Sequence, residues 1–537
     1  MDPIPLPAPF GGVDDLTPVI ALQSPYCENL LNFNVTQDGV NLRFGDKKFG
    51  VTITQTAGGS VPQRIFTYGN SRIFVLTYEV TAQKYVLNDM ESGAMVFDMT
   101  TILPGPLAFS GFYDLYFNKY LFMFSKAAGT TIPGMYFNGT AFGVIGYTGT
   151  GYAPLGGNVF KNRAYMIQSG EAAYWYSDNK AISGPCVYVD LSSLTEEECD
   201  LAIICSFSLS DNVSAVVIQS FIMTNGEVLF YAGTYPDSPD WQQVGTGKIG
   251  QPVDFNAYIK HQGDSLVLCD TGVISMRDLF LKGAQDGKGL SINDRVSKRW
   301  SELIQTIRTT YSIPNGPISV IINGTNTSGY IRGVSDSKAD RVIINVPFYL
   351  SSGTALPGNT QFVFDTQRTS WFFHQSYKAS STPKVVFDIN RYKNKVILVS
   401  MGTTKIMTSE KEGAANFTDR DADDASDNGY YYEIKSAPVS QGRTYVQKGE
   451  GLDAIIQSDL YAETNYYLIK EFGVQTTSPQ KAPSFGTAGS LQKPFVNLGI
   501  EGSFIQYQIS GVTTTGKTVG YQLYGNNFWI SVGRSTR

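Results

Sequence analysis

The sequence predicts an all-β protein built around a β-propeller of about six or seven blades, with a helical insertion and a C-terminal β-rich module. Three observations predict it. Gly is abundant (54 of 537 residues) and Tyr and Phe number 32 each, a bias towards pleated, half-buried surfaces over helices. Hairpin signals are dense. A turn-and-strand signature also recurs early in the chain at intervals of roughly 45 residues, near the spacing of four-stranded blades. At 537 residues the chain exceeds what one hydrophobic core usually serves, so modules or a repeat architecture are expected.

The hairpins come first. Arg64 to Tyr68, Gly69-Asn70, then Arg72 to Val80 reads as strand, tight turn, strand, as does Leu115 to Phe117, Asn118-Lys119, Tyr120 to Phe124. Met135 to Phe137, Asn138-Gly139, Thr140 to Phe142 predicts a type I′ turn, because Asn-Gly supplies positive φ angles.

The repeat is a short polar turn leading into an apolar strand. It is seen at Asn70-Ser71-Arg72-Ile73-Phe74, Asn118-Lys119-Tyr120-Leu121-Phe122 and Asn162-Arg163-Ala164-Tyr165-Met166. Looser copies start at Asn225, Asp264, Asp340 and Asn394. Later intervals are irregular, which predicts insertions or a missed blade. The plain alternative is a pair of β-sandwiches with similar hairpins.

The helical insertion is expected near 291–309. Val296, Trp300, Leu303, Ile304 and Ile307 fall on one face at helical spacing, and Ser291 with Asp294 resembles a capping box. A shorter helix is expected from Thr195, with Glu198 completing its box. Around 419–429 the composition turns acidic and small, marking a loop near a boundary. The expected division is therefore 1–60 as an N-terminal arm and first strands, 61–428 as the propeller, and 429–537 as a sandwich-like module. Strands are expected there at Tyr430 to Ile434, Tyr466 to Ile469 and Phe504 to Ile509.

Composition narrows function. A net charge of −6 argues against gripping DNA by its phosphates. Met1 to Pro5 lacks a basic region followed by an apolar run, and no stretch approaches a bilayer span, so neither a secretory leader nor a membrane segment is expected. Five cysteines (Cys27, Cys186, Cys199, Cys205, Cys269) contain no CxxC pair and read as buried thiols. The two histidines, His261 and His374, lie near no GxSxG elbow, and P-loop and HExxH patterns are missing, so no catalytic residue and no cofactor are expected. Ser238-Pro239-Asp240-Trp241 is a single, Gly-less relative of the turns that sialidase-like propellers repeat. Asp419, Asp421, Asp423 and Asp427 alternate like calcium ligands of an EF-hand, but Asp424 stands where Gly is needed and Tyr430 where Glu belongs, leaving calcium as an alternative to a solvated loop.

Several segments, in order, resemble the tail hub, nozzle or packaged-DNA stabilisation proteins of short-tailed bacteriophages. They begin with Gly11 to Asp15, Cys27 to Asn32 and Gly39 to Gly45. Val159 to Tyr165 with Trp175-Tyr176-Ser177, Gly226 to Trp241, and Ile249 to Pro252 follow. Ser265 to Leu268 with Gly272-Val273, Phe362 to Asp365 with Ser370-Trp371, and Gly502 to Tyr507 complete the set.

The resemblance implies a virion protein made in the host cytoplasm, assembling as a ring of six copies below the portal and its adaptor. The ring would retain packaged double-stranded DNA and conduct it during ejection, with tail fibre and plug or needle proteins as further partners. It implies no enzymatic activity. An acidic lumen would repel phosphates, and the candidates for lining it are Glu196, Glu197 and Glu198, and Asp421, Asp423 and Asp424, with solvated surface as the plain alternative for both clusters. The other reading is a propeller that recognises glycans or a receptor through aromatic loop tips.

Overall fold

The computed structural model describes residues 3–532 apart from 19–20, 24, 38, 44–46, 50–59, 80, 100–108, 128–133, 212–213, 284–289, 312–317, 323–324, 330, 352–353, 376, 380–381, 384–385, 394, 401–405, 409–417, 421–426, 430, 438–446, 458–463, 471–473, 476–479, 482–490, 493–494, 503–504 and 514–521. Seven antiparallel sheets of the described residues follow one another as blades. Blade one is Ser60–Tyr68, Arg72–Glu79, Lys84–Asp89 and Met95–Asp98. Blade two is Phe109–Phe117, Tyr120–Ala127, Met135–Phe137 and Phe142–Val144. Blade three is Pro154–Phe160, Arg163–Gln168, Ala173–Tyr176 and Val187–Asp190. Blade four is Leu201–Asp211, Ser214–Met223, Glu227–Ala232 and Gln242–Lys248.

Blade five has three strands, Tyr258–His261, Asp264–Cys269 and Gly272–Ser275. Blade six is Arg332–Asp336, Arg341–Ser351, Thr354–Asp365 and Ser370–His374. Blade seven is Val386–Tyr392, Lys395–Ser400 and Ile406–Thr408, and its fourth strand, Lys47–Phe49, comes from the other end of the propeller sequence. The innermost strands touch in order around an axis, blade four reaching blade five through Asp264–Cys269, and blade seven meets blade one. The ring is closed, and the propeller has seven blades.

The repeat seen in the sequence marks the second strand of six blades, where both faces of the sheet are covered by neighbours. Such a strand is a continuous apolar run, not an alternating one. Ile73 to Thr77 and Ala164 to Gln168 are buried at every position. The preceding turns follow the right-handed twist of the sheet. Asn118 and Lys119 have φ of 47° and 67°, and Lys161 and Asn162 have 46° and 61°, as a type I′ turn requires.

The Asn138-Gly139 pair does something else. Phe137 pairs with Phe142, leaving a four-residue loop in which Asn138 Oδ1 accepts from the Thr140 and Ala141 amides and only Gly139 has a positive φ. The Asn side chain supplies a local bond that competes with the tighter turn.

Gly226 has the strongest need for glycine among the hairpin turns. Its φ is +88° and a Cβ there would lie 2.2 Å from the Ile249 carbonyl oxygen. Gly226→Ala is expected to lose about 1–3 kcal/mol, read as a lower guanidinium midpoint; an unchanged midpoint would show that this turn carries no such strain.

Two helices lie between blades five and six. α1, Met276–Lys282, begins at Ser275, whose Oγ accepts from the Asp278 amide at 3.0 Å, and ends at Gly283 with φ 58°. α2, Ser297–Tyr311, follows a 3-10 turn at Asp294–Val296. Trp300, Leu303, Ile304 and Ile307 are buried as their spacing predicts. The expected capping box at Ser291 does not form. Ser291 bridges to Ile274 and its Oγ bonds Asn293 Oδ1, which also accepts from the Val273 amide, so this stretch is stitched to blade five. Asp15 caps α2 instead, accepting from the Lys298 and Arg299 amides at 3.3 and 3.0 Å. The helix expected from Thr195 is also not formed. A 3-10 turn occupies Ser192–Leu194, Thr195 is extended, and Glu196 to Glu198 offer no apolar face to bury.

The terminal segments are interwoven, crossing the expected division at 60/61 and 428/429. Pro3–Pro7 and Val40–Leu42 both pair with Gln522–Val532, and Tyr26–Leu31 pairs with Tyr431–Ser436. Gly12–Val13 runs beside Trp371, so blade six continues through the N-terminal strands into Tyr431–Ser436, Ile505–Val512 and Thr464–Lys470. The reason is apolar. Phe33, Val35, Val40 and Leu42 bury against the C-terminal strands, with the Phe33 and Tyr432 rings edge to face at 5.8 Å. In the acidic stretch, Thr418–Arg420 pairs with Asp427–Gly429 as a hairpin.

Candidate functional site

The inner strands of the propeller enclose an axial cavity of about 360 Å³, lined in part by Arg64, Asp114, Asn256, Lys260, Arg332 and Arg391. Each charged residue lies on the first, innermost strand of a different blade, which brings it to the axis. Arg332 lies 3.4 Å from Asp114 and 3.3 Å from Asp388, and Arg64 lies 3.8 and 3.5 Å from the same two carboxylates. The Asp388 side chain is fully buried and also accepts from the Ile65 amide at 2.9 Å, joining blade seven to blade one.

Lys260 stands apart from that network. Its ammonium donates to Asn158 Oδ1 at 2.9 Å and has no carboxylate partner among the described residues. Desolvation by the surrounding strands pushes its pKa below the ordinary lysine value, although the residue as a whole is exposed. Arg391 donates to Ser337 Oγ at 2.6 Å.

A second concavity, of about 450 Å³, lies on blade three between Gly149 to Gly151, Gln168, Glu171, Trp175 and Tyr188. Trp175 Nε1 donates to Gln168 Oε1 at 2.6 Å and the Tyr188 hydroxyl donates to Glu171 at 2.5 Å.

Large hydrophobic side chains are exposed at several places on the outer surface, Tyr116 on blade two, Leu194 on the connection to blade four and Val216 on blade four among them. The fourth strands of blades one, two and three expose Met95, Val144, and Val187 with Tyr188, between 41% and 51% accessible. Phe10, Leu16 and Leu281 are exposed on the N-terminal segment and α1, beside blades five and six. In a ring of seven, blades five and six lie across the axis from blade two.

The residues singled out from the sequence fall elsewhere. Glu196, Glu197 and Glu198 are exposed on the connection from blade three to blade four, and the Glu196 amide donates to Glu227. None of the three lines the axial cavity. Asp421, Asp423 and Asp424 lie outside the described residues. Asp419 and Asp427 are on the two strands of the hairpin, paired with Asn428 and Arg420, and no group of His, Cys, Asp and Glu among the described residues could hold a metal ion. His374 is buried with Nε2 3.0 Å from Asn34 Oδ1, and His261 Nδ1 lies 2.9 Å from Ser335 Oγ. Cys27, Cys205 and Cys269 are buried, whereas Cys186 and Cys199 are half-buried; burial pushes the Cys205 and Cys186 thiols up to about 12. Asp240 accepts from Thr234 and Ser238 in the turn between the last two strands of blade four, and Trp241 stacks on Tyr231 at 5.3 Å.

No protein-family model and no curated protein matches the sequence. Among solved structures, Raptor from Chaetomium thermophilum is similar at 8% identity and a TM-score of 0.39, over 69% of this chain and 30% of that one. The β-propeller domain of Cps50 (Swd1) from Myceliophteria thermophila is similar at 8% identity and 0.30, over 66% of this chain and all (100%) of that one. An exo-β-1,3-galactanase from Phanerochaete chrysosporium is similar at 9% identity and 0.27, over 90% and 100%. Likenesses this distant carry nothing about what the chain binds or does. The propeller stands on its own closed ring of sheets. No helix among the described residues is long and apolar enough to cross a membrane.

Proposed function

We propose that this chain is a non-catalytic virion protein, the tail hub or nozzle subunit of a short-tailed bacteriophage, which extends the portal-adaptor channel, retains packaged DNA and conducts it during ejection. The observation that carries this reading is the set of large hydrophobic side chains left exposed on the fourth strands of blades one to three and, elsewhere on the molecule, on the N-terminal segment and α1. A surface patch that meets a different patch on the next copy is the requirement of a head-to-tail ring, whereas a two-fold dimer needs one self-complementary patch. The net charge of −6 per chain suits a wall along which DNA slides without adhering. Six copies, a portal adaptor above, and fibres with a plug or needle below complete the assembly that the sequence resemblance implies.

The interface has a direct test. Burying one valine side chain at a contact contributes about 1.5 kcal/mol or more. The double variant Val144→Asp with Val187→Asp should therefore weaken ring assembly by about a hundredfold or more, measured by native mass spectrometry. Both side chains are 44–47% exposed in the protomer, so its melting temperature should hold. Rings that persist undiminished in the variant would remove blades one to three from the interface.

The blade-three concavity supports a second reading, a glycan-binding propeller, since an aromatic ring beside an amide and a carboxylate suits a sugar face and its hydroxyls. Saturable sugar binding by dispersed protomers, lost in Tyr188→Ala, would favour it.

A further inference from the structure

We propose that two opposite faces of the propeller form a head-to-tail contact between copies of this chain, with Lys119, Lys161 and Lys180 of one copy meeting Glu196, Glu197 and Glu198 of the next. Such a contact does not depend on the hub reading. A patch that meets a different patch on the next copy closes a ring or continues as a stack in a propeller of any role.

Three turns bring the lysines together. Lys119 and Lys161 lie in the first hairpin turns of blades two and three, and Lys180 lies in the loop before the last strand of blade three. Asn118 Nδ2 donates to the Lys180 carbonyl at 2.9 Å, and the Lys180 amide donates to the Asn162 carbonyl at 2.7 Å, so the turns are stitched side by side. All three lysines are exposed, with φ of 67°, 46° and 57°. Glycine, asparagine and aspartate suit that left-handed backbone better than lysine does. Turn geometry thus gives no reason for a lysine at any of the three. None has a carboxylate partner among the described residues, and Asp178, in the loop of Lys180, is paired with Arg163 at 3.4 Å.

The glutamates leave from the other end of the same sheet. In blade three Tyr176 pairs with Val187 at the end that carries Lys161 and Lys180, and Ala173 pairs with Asp190 at the far end. The connection from Leu191, which carries Glu196 to Glu198, starts at that far end. All three glutamates are exposed and none has an ion-pair partner among the described residues. The faces match in kind and number, three cations against three anions. Each also has one large apolar side chain near it, Tyr116 before Lys119 and Leu194 before Glu196, both 45% accessible.

Charge selects the occupant. Three neighbouring like charges repel one another, and a facing set of opposite sign relieves both sets at once. A chain with a net charge of −6 repels its own copies, so they approach best where a local positive excess meets the acidic run. Nucleic acid would suit the lysines but would leave the matching glutamates without a role, which favours a second copy.

Sedimentation velocity of the full chain tests the contact with two variants. One carries Lys119→Glu, Lys161→Glu and Lys180→Glu, and the other Glu196→Lys, Glu197→Lys and Glu198→Lys. The wild type should self-associate at low ionic strength and dissociate as salt is raised. Each variant alone presents like charges on both faces, and its association should weaken about tenfold or more. An equimolar mixture of the two restores opposite charges at every contact and should assemble as the wild type does. If one variant fails to fold, the other carries the test together with the salt dependence. A wild type that stays dispersed at low salt, folded variants that associate as it does, or a mixture of folded variants that stays dispersed would overturn the proposal. So would lysine-dependent binding of a DNA duplex with self-association unchanged. Variants that still form rings would remove this contact and leave the hub reading standing.

Discussion

Asp388→Ala is expected to cost about 3–5 kcal/mol of folding stability, the penalty of stranding buried positive charge when one partner is removed. The carboxylate is fully buried, lies 3.5 Å from Arg64 and 3.3 Å from Arg332, and accepts from the Ile65 and Ile389 amides at 2.9 Å each. Removing it leaves two guanidiniums to share Asp114 and takes away a bond that holds blade seven against blade one. The same network gives little net stabilisation over an apolar packing of equal volume, because dehydrating four charges offsets most of their attraction. Breaking it and never having had it are therefore different quantities. Asp388→Asn separates them: it keeps an acceptor for the backbone and loses the charge, so its cost should fall between alanine and wild type. Guanidinium unfolding followed by tryptophan fluorescence measures both. A loss under about 1 kcal/mol for the alanine variant would mean that ring closure does not depend on this carboxylate.

Trp300→Ala is expected to cost a comparable amount, about 3–5 kcal/mol, through the cavity it opens. Trp300 is buried on α2, with its ring edge to face with Phe362 at 5.2 Å and its Nε1 donating to the Cys269 carbonyl at 2.8 Å. One side chain thus ties the helix to blade six and to blade five, the only blade with three strands among the described residues. Trp300→Phe keeps most of the buried area and gives up the hydrogen bond, so it should lose only about 1–2 kcal/mol, the bond's share, the rest of the alanine loss being volume. Equal losses for the two variants would assign the whole effect to the bond and none to packing.

The parts of the fold that were legible are those whose signal is local. Second strands buried on both faces write an apolar run after a polar turn, and six of the seven places where that pattern was seen are second strands. The exception is Asn225-Gly226-Glu227, which opens a third strand; the second strand of blade four follows Asn212 in sequence but has no basic residue there and opens on the small Ser214-Ala215, so it was passed over. Blade count stayed open for the same reason, and because α1, α2 and the hairpin of Ile318–Ile322 with Thr325–Gly329 separate blades five and six.

What was not legible is long-range. Lys47–Phe49 is too short to read as a blade strand, and its partner lies at the other end of the propeller. The cap on α2 comes from Asp15, so a search for a capping box near the helix settled on Ser291, which has other partners. The axial residues escaped because no two of Arg64, Asp114, Lys260, Arg332 and Asp388 are near in sequence. A signal was present at two of them: Asp114 and Asp388 are charges set among apolar and aromatic neighbours, in Phe112-Tyr113-Asp114-Leu115 and Val386-Phe387-Asp388-Ile389. A charge held among buried neighbours points to the axis of the propeller, whereas the exposed Glu196 to Glu198 run was singled out for the lumen of an assembled ring, a different surface.

Negative-stain electron microscopy of the purified protein, alone and mixed with candidate adaptor complexes, tests whether this chain forms the proposed ring on a portal-adaptor complex. Six-fold rings, or added density at the adaptor with an open axial channel, are expected, and their loss in the Val144→Asp, Val187→Asp variant. Dispersed protomers that join no adaptor at any concentration would contradict it.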